Sequence, residues 1–103
     1  MSTNQNSPAA ATPVRIALGL PLGYVQVTDL SGAVALSPPA GAVVALVEAE
    51  AQAVRWRDDG TAPLAGVGML LASGASMTFF GDLTAVKFIQ ATSGAKLNVS
   101  YYG

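Results

Sequence analysis

The chain has 103 residues with five basic and six acidic side chains, a formal net charge of −1, and neither cysteine nor histidine. That length builds one core without help from a metal or a disulfide, and the balanced charge leaves no basic field for nucleic acid. The missing cysteine and histidine remove thiol nucleophiles, serine–histidine dyads, thiolate zinc sites and imidazole acid–base chemistry, so no catalytic residue, metal or cofactor is expected.

Residues 1–12 are Ser, Thr, Asn, Gln, Pro and Ala without an apolar pattern. A flexible N-terminal arm is therefore expected there, with a single β-sandwich domain over 13–103. The arm has neither the basic start nor the apolar core of a signal peptide, so the expectation is a protein made and used without secretion.

Short apolar runs then alternate with Gly, Pro, Ser and Asp at spacings near ten residues, the pattern of an all-β antiparallel sandwich or jelly roll of about eight short strands. "VRIAL" at 14–18 and "YVQVT" at 24–28 each place alternate aliphatic residues on one face, with "GLPLG" turning between them. "AVAL" at 33–36 is a short strand ended by "SPPAG", whose consecutive prolines remove two backbone donors.

Residues 42–57, "AVVALVEAEAQAVRWR", hold helix formers, and either helix or strand is conceivable. Strand is preferred. Glu48 and Glu50 stand at even positions and Arg55 and Arg57 at odd ones, so one strand with a single solvent face must slip phase, as a β-bulge near Ala51 would allow. The stretch ends in "DDG", which reads as a tight turn.

Residues 60–81 carry no charge, but Pro63 and five glycines argue for strands and turns and against a membrane span. Four strands are expected from "GVGMLL", "SMTFF", "AVKFIQ" and "KLNVSYY". In the last, Leu97, Val99 and Tyr101 face one way and Lys96, Asn98, Ser100 and Tyr102 the other.

Each chemical constellation has a simpler reading. Glu48 and Glu50 on one strand face suggest carboxylate chemistry or a hard cation, but no third carboxylate follows at a completing spacing, and a solvated face suffices. Asp58 and Asp59 before Gly60 are what a turn needs. Gly66 and Gly68 begin a dinucleotide fingerprint that lacks its third glycine, its helix and its acidic residue. "NVS" at 98–100 fits a glycosylation acceptor, which on the expectation of no secretion is a chance tripeptide. Arg55, Arg57, Asp58 and Asp59 are the candidate subunit contact or rim, and Trp56, opposite the arginines, is the candidate core anchor.

Charged residues make up 11% of the chain, against about 25% in typical soluble proteins. Surface with so little charge is expected to be buried against other copies or a larger assembly.

The segments "SPPAGAVVALVEAE", "AVRWRDDGTAP", "VGMLL", "FFGDLTAVKFIQ" and "AKLNVSYYG" together resemble small virion proteins of tailed bacteriophages. In that family a P-A-G turn, an R-[WY]-R-D-D-G hairpin, an L…I-K-F-I strand and an L-x-V-x-Y end recur in this order, and the likeness covers about residues 38–103. It implies a β-sandwich structural protein of the virion, assembled in the bacterial cytoplasm, that decorates or stabilises the capsid. Its expected partners are itself, as a trimer or dimer, and the major capsid protein or other virion proteins, with no nucleic acid and no membrane. The alternative is a β-sandwich module of a tail, neck or head fibre that recognises carbohydrate or a receptor through loops 58–66, with Trp56 or Tyr102 as a stacking surface.

Overall fold

The computed structural model describes residues 19–103. The arm expected over 1–12 and the strand expected over 14–18 lie outside them. The described residues form eight strands: β1 Pro21–Val27, β2 Val34–Ala35, β3 Val44–Glu50, β4 Val54–Arg57, β5 Met69–Leu71, β6 Ser76–Phe79, β7 Lys87–Gln90 and β8 Lys96–Tyr102. They make two four-stranded sheets, β1-β8-β3-β6 and β2-β7-β4-β5, antiparallel at every pairing. The fold is an all-β sandwich.

Period-two alternation decides which side chains meet between the sheets. In β8, Leu97, Val99 and Tyr101 point inward and are buried, while Lys96, Asn98, Ser100 and Tyr102 point outward. Directly across from them, β3 turns Ala45, Val47 and Ala49 inward in the same register. The other sheet contributes Val54, Leu71 and Phe88, and Leu30, Leu36, Leu83 and Val86 fill in from the connections. Each fully covered Val, Leu or Phe contributes roughly 1.5–3 kcal/mol relative to exposure, so this one interior dominates the stability of the fold.

The stretch 42–57 is strand, but not one bulged strand. At Ala51 the backbone takes a φ of +73°, a left-handed conformation unusual for a residue with a Cβ. The Gln52 N–H donates to the Glu50 carbonyl at 2.9 Å, and the chain passes from the first sheet to the second. The phase change between the glutamates and the arginines is thus a change of sheet: Glu48 and Glu50 leave the outer face of one, Arg55 and Arg57 that of the other.

A second difference lies in "GLPLG". Instead of turning, Pro21–Gly23 already belong to β1, with an irregularity in register between Pro21 and Gly23. Leu20 and Gly103 close that end by exchanging backbone hydrogen bonds at 2.8 and 3.0 Å. The "SPPAG" segment does turn, with the Ala42 N–H donating to the Pro39 carbonyl at 3.1 Å and Gly41 at φ +86°. The charge-free residues 60–81 form β5, β6 and turns, with no helix.

Candidate functional site

The β4 strand sorts its side chains by face. Val54 and Trp56 point inward, and Arg55 and Arg57 point outward beside Ile89 and Lys87 of β7, their partners in register. Trp56 is half-buried against the core, and its ring meets Phe79 of the opposite sheet edge-on, with centroids 6.3 Å apart. That placement makes it a packing residue between the sheets and not a free stacking platform.

The two arginines have different surroundings. Arg55 Nη1 donates to the Gly68 carbonyl at 3.1 Å, while its Nε is buried without a partner. Arg57 Nε donates to Asp59 Oδ1 at 3.0 Å and Nη2 to Oδ2, a two-pronged pair that spans the start of the turn. This hydrogen bonding is the main reason that the Asp59 carboxyl is held below its ordinary value and the Arg57 guanidinium is pushed above its own. Asp58 is exposed beside it. With Val67, Gly68 and Met69 these residues line an open groove of about 260 Å³.

Gly68, which sequence reasoning set aside with a spurious fingerprint, fixes this corner. Its φ is +142°, and a Cβ there would lie 3.1–3.2 Å from the Trp56 carbonyl, the Arg55 Cβ and the Pro63 Cβ. Only glycine lets the loop lie against β4 closely enough for Arg55 to reach its carbonyl.

Across the molecule, the outer face of the first sheet carries a polar cluster centred on Asn98. Its Nδ2 donates to Glu48 Oε1 at 3.1 Å and to Glu50 Oε1 at 2.9 Å. Its Oδ1 accepts from the Tyr24 hydroxyl at 2.6 Å and from Gln26 Nε2 at 3.0 Å. The amide thus bridges the two carboxylates of β3 and ties them to β1. Neither Tyr24 nor Gln26 stands out in the sequence, because their meeting depends on β1 and β3 both pairing with β8. The one advance signal is Asn98 on the polar phase of the β8 alternation.

Two turns hold their shape through aspartate caps. Asp29 accepts from the backbone and hydroxyl of Ser31, and Asp82 from those of Thr84. The side-chain bond is the larger cause holding each carboxyl below its ordinary value. These are turn devices with no chemistry beyond the loop.

The apolar surface is the other feature. Leu20, Val43, Leu64, Met69, Leu70 and Phe80 are each more than half exposed. They sit at strand ends, in the 60–68 loop and on the edge strand β5, where no neighbouring strand covers them. No protein-family model matches the chain, and the comparisons with curated proteins and with solved structures found no match.

Proposed function

We propose that the protein is a non-enzymatic structural component of a tailed-phage virion, assembling as a homo-oligomer that decorates or stabilises the capsid. The observation that carries this reading is the set of large apolar side chains left more than half exposed on a sandwich with only 11% charged residues. Burying apolar area between copies, or against the major capsid protein, releases roughly 25 cal/mol per Å². Only the surplus over the cost of association becomes affinity. The phage-like order of segments from the P-A-G turn at 39–41 to the final "LNVSYY" supplies the setting.

The experiment is attachment. The full chain is mixed with heads from a tailed phage whose copy of this gene is deleted, and bound chain is separated on a gradient. Saturable binding that protects the heads against heating is expected. Full-length chain that stays entirely in the unbound fraction would overturn the assignment to the capsid.

A further inference from the structure

The two outer faces of the sandwich carry opposite charge. On β2-β7-β4-β5 the outward residues include Arg55, Arg57 and Lys87, three of the four basic side chains among the described residues, with Ile89 and Leu70 beside them. On β1-β8-β3-β6 the outward residues include both glutamates, Glu48 and Glu50, with Lys96 directly across from Glu50 at the start of β8. Among the described residues the single ion pair is Arg57 with Asp59. Lys87 and Glu48 therefore have no ionic partner within them, and Glu50 has Lys96 as its cross-strand neighbour without a formed ion pair.

We propose that copies of this chain associate head to tail, the Glu48–Glu50 face of one sandwich against the Arg57–Lys87 face of the next. The inference rests on the oligomeric reading above and deepens it by naming the contact. Opposite charges on opposite faces of one molecule cannot satisfy each other across the core. They complement a second copy without any further partner, and like faces brought together repel. Such a contact is heterologous: it closes into a ring if its rotation permits and otherwise propagates.

Three details suit these faces to a contact. Asn98 bridges the two carboxylates, so less side-chain freedom is lost when they meet a cation. Arg57 and Lys87 are direct cross-strand partners; Arg57 is held by Asp59, so Lys87 is the cation at this point of the sheet that has no ion pair of its own. Leu46 stands beside the glutamates on β3, as Ile89 and Leu70 stand beside the cations, giving each face apolar area to bury around its charges.

The test uses two charge-reversed full-length variants, Glu48→Lys with Glu50→Lys and Arg57→Glu with Lys87→Glu, all at exposed or half-buried outward positions. Arg55 is left alone because its bond to Gly68 supports the fold. Sedimentation velocity at low salt is expected to show the wild type associating and each variant associating at least tenfold more weakly. An equal mixture of the two variants is expected to recover association, because each reversed face then meets its complement. Salt at about 0.5 M, where the screening length falls to a few ångströms, is expected to weaken the wild type and the mixture alike. Circular dichroism melts check that both variants are folded; if either is not, the single changes Lys87→Glu and Glu50→Lys replace them. Folded variants that associate as tightly as the wild type would overturn the head-to-tail contact while leaving an oligomer built on the apolar surface. A wild type that remains monomeric at every concentration would overturn it too, leaving attachment to heads as a separate question.

Discussion

Trp56 and Phe79 meet edge to face at an interplanar angle of 68°, one from each sheet, and so tie β4 to β6 across the interior. Such a pair adds about 0.5–1.5 kcal/mol beyond the area it covers. Truncating Trp56 to alanine removes both contributions, and the expected cost is about 3 kcal/mol, the lower end for aromatic-to-alanine changes because the ring is half-buried. Urea melts measure it. A loss below about 1 kcal/mol would show that the ring is a surface feature.

The two arginines of β4 should separate. Arg55→Ala removes the hydrogen bond to the Gly68 carbonyl and should cost about 1–2 kcal/mol, as charge-assisted bonds to backbone do. Arg57→Ala removes only an exposed pair with Asp59 and should leave the thermal midpoint almost unchanged. Equal effects from the two changes would contradict the distinct placements of these side chains.

Ala51 carries strain that glycine relieves. With φ at +73°, a Cβ costs about 1 kcal/mol or more, partly offset by the extra freedom glycine gives the unfolded chain. Ala51→Gly is expected to raise the melting temperature by a few degrees and Ala51→Val to lower it. Gly68→Ala should be strongly destabilising for the converse reason, since its Cβ would crowd the Trp56 carbonyl and the Cβ atoms of Arg55 and Pro63. A neutral Gly68→Ala would mean that the loop does not lie against β4.

Tyr101 gives the molecule an alkaline limit. Burial pushes its hydroxyl above the ordinary value, outweighing the Ser37 N–H, which donates to that oxygen at 3.1 Å and pulls the other way. The unfolded chain releases this proton near about pH 10, while the folded chain still holds it. Stability is therefore full below that pH and falls as pH rises through it toward the higher folded value. Tyr101→Phe should flatten this part of the pH profile. At the acid end, the lowered carboxyls of Asp29, Asp59 and Asp82 contribute stability that is lost as pH falls below their ordinary 3.8. Denaturant midpoints across pH measure both limbs, and an alkaline limb unchanged in Tyr101→Phe would contradict the assignment.

Much of the sandwich was legible in the sequence because alternation is a local signal. Residues 96–102 read as a one-sided strand, and they are the central β8 with Leu97, Val99 and Tyr101 inside. What failed was non-local. A phase slip at Ala51 looks the same from sequence whether the chain bulges or changes sheet, and only the pairing of β3 with β8 and of β4 with β7 separates the two. "GLPLG" misled because Pro21 and Gly23 are turn residues by composition, yet β1 is an edge strand, where proline and glycine are tolerated.

The candidate contact residues fared the same way. Arg55, Arg57, Asp58 and Asp59 were visible as a charge cluster in an almost uncharged chain, but Lys87 joins them only through its register with Arg57. The Asn98 bridge between Glu48 and Glu50 spans about half of the chain in sequence and likewise appears only once β3 and β8 are paired. Gly68 was seen as a glycine without a reason until the close approach of Trp56 and Pro63 supplied one.

The proposed virion role is tested most directly by the quantity of this chain in purified particles of a tailed phage carrying its gene, determined by mass spectrometry against the major capsid protein. Many copies per particle are expected, in a fixed ratio to the capsid protein and retained through density-gradient purification. A chain abundant in the lysate and absent from the virion would contradict it.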